Sequence, residues 1–493
     1  MPALVTHFPI NDGGMFYDMA RDLRANHYLL PEATSYTGLD LPFAYPPLGL
    51  YLVSLLADVT RIPLLNLFLW LPPLLATLAI PAFYLLARVL LADNLRASLA
   101  TSFYALTPGQ YDWHIMGGGV TRALGMLFFL LASFYVVRLF RSLEASDSAH
   151  VWRTAKFPDF GLAILFCSLA VLSHPEVGLH TAGWCAVLWL FLGRSWRGTL
   201  RAIIVVLGVF LLTAPWWGTV IAQHGFAPFL SAIQTGQHAS ADWRALPINI
   251  FASDEFIPVL VILRAAGFVY AVWRKQFLLI VLTFLPILID PRSADSISFL
   301  LMSILSALGF LDALPALIQK LRGVEISPVL NRRAGAVAVF TVIFVLFLEC
   351  GLHNYALINS TLAAGERETM RWVRENIPSD QSFLLITGRS YSMSDPAQEW
   401  FPTLSGQHSQ TTLQGLEWTL GVNFMSRFND LVALQSCADL ACVDAWSART
   451  GLTYGYLWIA KTSDDLVKDM RASVEYRLVY ESDSASIFAR VEK

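Results

Sequence analysis

Between residues 62 and 350 the chain is a succession of apolar runs, each ended by a short cluster of turn-formers or charges. That pattern admits few folds, because only an unbroken helix satisfies its own backbone in hydrocarbon, and a crossing takes about 20 apolar residues. Ten runs read as spans: 62–87, 95–108, 119–140, 159–174, 177–193, 200–217, 256–273, 276–290, 297–316 and 334–350. The run 46–57 is too short to cross and reads as an interfacial or re-entrant helix. Charged residues make up only 14% of the 493, against about 25% in soluble proteins, too few to cover several soluble domains. The 55% hydrophobic content excludes disorder. A net charge of −3 and the lack of any basic block exclude a nucleic-acid partner.

The charges are unevenly spread. Residues 351–493 hold 29 of them, and the first 350 residues hold 42. The chain therefore divides into a first outer loop (1–60), a membrane helical part (61–351) and an α/β tail (352–493). With the N-terminus outside, 15 Lys/Arg fall in inner loops and six in outer segments, which satisfies the positive-inside rule. The expectation is an integral protein of the cytoplasmic membrane with an extracytoplasmic tail. No export signal opens the chain, so an in-frame helix upstream of Met1 is expected, making eleven spans in all. In the tail, helices are expected over 365–378, within 416–435 and near 463–472, with strands over 382–387, 453–460, 476–482 and 485–491. Cys437 and Cys442, with four residues between them in an oxidising compartment, favour a disulfide over zinc, since no second Cys/His pair lies nearby.

This topology collects most acids of the membrane part on the outer side. Three clusters stand out. In FPINDGGMFYDMARDL (8–23), Asp12 precedes Gly13-Gly14 and an amphipathic helix. It is either a helix cap or a site carboxylate. Asp18 and Asp22 read as solvated. In PGQYDWHIMGGGVTRALG (108–125), Asp112 and His114 precede Gly117-Gly118-Gly119 and a helix carrying Arg122. Glycines, helix amides and an arginine favour a phosphate, and a snorkelling Arg122 is the alternative. In SHPEVGLH (173–180), His174 and Glu176 either join the site or tip a proline turn.

DGG with its helix, followed by AYPPLGLYL (44–52), resembles the first outer loop of the GT-C membrane glycosyltransferases. These include protein O-mannosyltransferases, aminoarabinose transferases and oligosaccharyltransferase catalytic subunits. The tail, with MRWVRENIPSDQSFLLITG and EWFPTLSGQ, is similar to outer domains of prokaryotic members. The resemblance implies a polytopic α-helical membrane fold with a small α/β domain. It also implies transfer of a sugar from a polyprenyl-phosphate-linked donor to a glycan, lipid or protein acceptor. It matches Asp12 to the family's essential acid and Asp112 to its second acidic position. DPRSADSISF (290–299) makes Arg292 a candidate for the lipid phosphate. The WWD-type acceptor motif is absent, and EWFP (399–402) does not replace it.

In such a reaction a carboxylate deprotonates or orients the acceptor. Arg122 and Arg292 stabilise the leaving phosphate, with His174 and Glu176 beside the substrate and His114 in a catalytic role. A divalent cation, Mg or Mn, held by Asp12 and Asp112 is a further expectation. The alternatives are a transporter, a non-catalytic assembly subunit, or a lipid-modifying transferase with a non-sugar donor. A transporter would show paired halves, and the sequence has no internal repeat.

Overall fold

The computed structural model describes residues 2–142, 157–235, 258–291, 293–322 and 333–491. The first loop contains α1 (Gly14–Ala25), a two-residue pair β1 (Ala33–Thr34) and β2 (Leu41–Pro42), and α2 (Leu48–Thr60). The apolar runs then form α3 (Leu64–Leu91), α4 (Asn94–Leu106), the short α5 (Asp112–Ile115) and α6 (Gly119–Arg141). They continue as α7 (Phe157–Ser173), α8 (Pro175–Leu192), α9 (Trp196–His224) and α10 (Ala227–Thr235). The last of them are α11 (Val259–Trp273), α12 (Phe277–Ile289), α13 (Ala294–Leu308), α14 (Leu314–Arg322) and α15 (Arg333–Leu357).

Each expected span is helical where described, but among the described residues five helices are long and apolar enough to cross on their own: Leu64–Leu91, Gly119–Arg141, Trp196–His224, Ala294–Leu321 and Gly335–Ser360. Other apolar helices fall short on length: α11 has 15 residues and α12 has 13. The short α2 does not span by length either, and it lies on α1, with Ser54 Oγ donating to the Ala20 carbonyl at 3.1 Å.

Burial sorts the long helices. The most apolar stretch of Ala294–Leu321 is 72% buried and central, whereas that of Trp196–His224 is 17% buried, and this helix shows Val206, Leu207, Phe210 and Leu211 on its outside. An apolar flank of that length is stable only against lipid, so the protein is integral to a membrane. At the centre α11 and α13 cross at glycines. A Cβ on Gly267 would meet the Leu305 carbonyl oxygen at 1.8 Å, and one on Gly309 would meet that of Leu263 at 2.0 Å. Small residues allow that approach, and helix packing in lipid depends on it.

The last third contains α16 (Ala364–Asn376), β3 (Ser382–Ile386), α17 (Pro396–Ser405), β4 (His408–Ser409), α18 (Phe424–Gln435) and α19 (Leu440–Thr450). It ends with β5 (Tyr456–Ala460), α20 (Asp464–Ala472), β6 (Tyr476–Glu481) and β7 (Ala485–Arg490). The strands form one sheet in the order β4-β3-β5-β7-β6, parallel across β4, β3 and β5 and antiparallel onward. The sequence did not indicate α17, α19 or β4.

One face of this sheet (Leu384, Ile386, Leu457, Ile459, Phe488) shares a core with Met15, Phe16 and Leu23 of α1 and with the start of α3 and α6. The other face packs on Phe8, Trp400 and Phe401. The first loop and the sheet are therefore one packed unit. Cys437, just past the C-cap of α18, and Cys442, in the first turn of α19, are bonded to one another. Asp439 caps α19 between them, its Oδ1 accepting from the Cys442 N–H at 2.8 Å.

Candidate active site

Residues 10–15 run between the N-terminus of α6 and the side of α17. The Asn11 N–H donates to the Ser360 carbonyl at 2.9 Å, and the Gly117 N–H donates to Ile10 at 3.1 Å. Trp400 Nε1–H donates to the Asn11 carbonyl at 2.9 Å. Gly13 takes φ 130°, which a side chain resists, and this turns the chain sharply after Asp12.

Asp12 is 3% exposed. Its two carboxylate oxygens accept from Arg122 Nη2 at 2.9 and 2.8 Å, and Oδ1 accepts from the Gly118 N–H at 3.0 Å. Arg122 Nε also donates to the Trp113 carbonyl at 2.8 Å, which ties Asp12 to the Asp112 turn. The glycine triplet exists for this approach. A Cβ on Gly117 would lie 2.1 Å from the Asp12 carbonyl oxygen, and one on Gly118 would lie 2.7 Å from Asp12 Oδ2. The helix amide and the arginine read in sequence as a phosphate cradle are thus taken, in this state, by Asp12. Arg122 does not snorkel.

Asp12 does not cap α1. That role falls to Glu399, on α17, whose Oε1 accepts from the N–H groups of Gly13 (3.2 Å) and Met15 (3.3 Å). Tyr36 adds its hydroxyl to the Glu399 backbone carbonyl at 2.7 Å. Burial, and then the Asp12 charge nearby, push the Glu399 carboxyl up to about 8. Asp18 is buried rather than solvated. It accepts from Thr403 Oγ1 at 2.7 Å and from Arg21 at 3.2 Å, and burial lifts it to about 6. The α17 residues Glu399, Trp400 and Thr403 thus grip three points of the loop that carries Asp12. The sequence dismissed EWFP as a motif, and nothing local in it indicates a partner 386 residues away.

The remaining candidates divide. Asp112 accepts from His353 Nε2 at 2.9 Å on both oxygens, a partner from α15 that sequence reasoning missed. His114 is 5% exposed and donates Nδ1–H to the Gln110 carbonyl at 3.2 Å. Burial lowers it to about 4, so it is neutral and holds its own turn instead of serving the acid. His174 is buried at the start of α8, with its ring 5.9 Å from Tyr45. Tyr45 OH is 3.2 Å from Thr121 Oγ1, next to Arg122, and Glu176 is among the charges that act on that hydroxyl. His174 and Glu176 therefore gather behind α6 through Tyr45. Arg292 lies outside the described residues. Among the described residues no group of three or more His, Cys, Asp or Glu side chains is placed to hold a metal. Asp12 and Asp112 each face a basic partner, Arg122 and His353, which does not fit a shared cation.

Beside Tyr45 the surface opens into an apolar groove of about 390 Å³, lined by Tyr28, Leu48, Tyr51, Leu172, Leu212 and Trp216. Trp216 Nε1–H fixes its wall by donating to the Ala44 carbonyl at 3.2 Å.

No protein-family model matches the sequence, and no curated protein matches it. Solved structures do match in fold. The archaeal oligosaccharyltransferase AglB from Archaeoglobus fulgidus, in complex with an inhibitory peptide and a dolichol-phosphate, aligns at TM-score 0.54 and 13% identity, over 92% of this chain and 66% of that one. ArnT from Cupriavidus metallidurans bound to undecaprenyl phosphate aligns at 0.52 and 14%, over 99% and 96%. The arabinofuranosyltransferase AftD from Mycobacteria aligns at 0.54 and 12%, over 99% and 38%. The chain spans about 66% of the length of the oligosaccharyltransferase. The fold shared with these three is the GT-C fold.

Proposed function

We propose that this GT-C-fold membrane protein is a glycosyltransferase. It transfers a sugar from a polyprenyl-phosphate-linked donor to an acceptor at the outer face of the cytoplasmic membrane. The observation that carries this reading is the buried Asp12–Arg122 pair at the glycine-rich start of α6. Two of the fold neighbours were solved with a polyprenyl phosphate, dolichol-phosphate in one and undecaprenyl phosphate in the other.

The chemistry follows from the pair. An arginine Nη2 that donates to both oxygens of a carboxylate can donate equally well to the oxygens of a phosphate. When the donor phosphate engages Arg122 and the Gly118 N–H, Asp12 is released toward the acceptor. The acceptor oxygen attacks the anomeric carbon, and its proton passes to Asp12. The bond from that carbon to the phosphate oxygen breaks, and its electron pair leaves with the phosphate. Arg122 stabilises the charge that develops there. The groove beside Tyr45 holds the start of the prenyl chain.

The test is transfer from a polyprenyl-phosphate-linked sugar by purified protein. Asp12→Asn is expected to lower the rate about 10²–10⁴-fold. The control is Asp40→Asn, at an exposed left-handed position that asparagine tolerates. Full activity in Asp12→Asn would remove Asp12 from the mechanism.

A further inference from the structure

At the end of the bundle opposite Asp12 lies a second cavity, of about 510 Å³. The helix directions place it there. Helix α4 starts at this cavity, with Arg96, and ends just before the Asp112 turn, whereas α6 and α8 start at the candidate site and run away from it. Arg96, Arg274 and Lys275 line the cavity together with one carboxylate, Asp312. That carboxylate is already used, since Arg96 Nη2 and Nε donate to it at 2.6 and 2.9 Å. Arg274 and Lys275 have no carboxylate partner among the described residues, and both are exposed. The walls beside them are apolar, with Phe191 40% and Phe277 54% exposed.

The backbone fixes where Arg274 and Lys275 sit, and the Arg274 guanidinium lies over the Trp273 ring at 5.9 Å. Helix α11 ends with the Gln276 N–H on the Ala271 carbonyl (2.8 Å) and the Lys275 N–H on Val272 (3.0 Å). This is a Schellman turn, and its left-handed position is normally glycine. Here it is Lys275, at φ 56°. The same turn leads directly into α12, whose first residues also line the cavity.

Basic residues at this end also serve topology, but a topogenic charge needs no cavity. We propose that this cavity binds the phosphate headgroup of an anionic phospholipid, with its acyl chains along Phe191 and Phe277. Arg274 and Lys275 carry the interaction, and Arg96, held by Asp312, closes the far side. This inference is independent of the transferase reading.

The experiment uses the delipidated full chain in detergent. Phosphatidylglycerol, phosphatidylcholine or soluble glycerol 3-phosphate is added, and the bound molecules are counted by native mass spectrometry. Phosphatidylglycerol is expected to bind in preference to phosphatidylcholine. One cation near a membrane surface corresponds to about fivefold in affinity, so Arg274→Gln should weaken binding about fivefold and the double variant R274Q/K275Q about thirtyfold. The charge-preserving pair R274K/K275R should bind as the parent does. Arg194→Gln, an exposed cation at the same end but outside the cavity, should change nothing. Three results would overturn the proposal: undiminished binding in the double variant, an equal loss in Arg194→Gln, or glycerol 3-phosphate binding as tightly as the lipid.

Discussion

Glu399 offers a prediction that separates the geometry of the site from its chemistry. Its carboxyl moves from 4.5 in the unfolded chain to about 8 in the folded one. Between those values the folded protein keeps a proton that the unfolded chain has released. The stability from this group is therefore complete below pH 4.5 and is lost as pH rises through 8. At about 1.36 kcal/mol per unit, the full effect is on the order of 5 kcal/mol. Glu399→Gln keeps an oxygen to accept from Gly13 and Met15, so the cap on α1 survives, but the side chain no longer titrates. The variant should match the parent near pH 5 and exceed it at pH 9. For a chain of this length 1 kcal/mol moves the midpoint by roughly 1 °C, so the gap should approach about 5 °C. The assay is thermal unfolding in detergent, followed by tryptophan fluorescence from pH 5 to 9. Asp18, lifted to about 6, produces a similar fall at lower pH in both proteins, so only the difference between them is diagnostic. Parallel curves from pH 5 to 9 would show that Glu399 is not the group that titrates, and the account of how α17 holds Asp12 would fail with it.

Gly117→Ala puts a methyl 2.1 Å from the Asp12 carbonyl oxygen, so it should lower the thermal midpoint and abolish transfer together. The disulfide closes a small loop, so Cys437→Ser is expected to cost about 2 kcal/mol, read as a lower midpoint. Thiol titration of denatured protein should count three thiols before reduction, from Cys167, Cys185 and Cys350, and five after it. Reporters fused after residues 145 and 325 should read as cytoplasmic and those after 240 and 493 as external. An external signal at 145 would reverse the proposed orientation.

What the sequence determined by itself is what depends on local pattern. Apolar runs must become helices in lipid, because backbone groups there have no water to bond, and so the membrane nature of the chain was legible from 62–350 alone. Strands β3, β5, β6 and β7 and helices α16 and α20 were legible for the same kind of reason, short apolar runs between polar segments for the strands and a period of 3.6 for the helices. The bond between Cys437 and Cys442 was legible because its two ends are close in the chain. Asp12 and the glycine triplet could be singled out, but not their relation. Only the tertiary structure brings Asp12 onto Arg122, Asp112 onto His353, and Glu399 under Gly13 and Met15. Those contacts join segments up to 386 residues apart. Ion pairs and hydrogen bonds between distant segments leave no period in a sequence. The same carboxylate pattern reads as solvated or buried until packing decides which, as it did for Asp18 beneath Thr403.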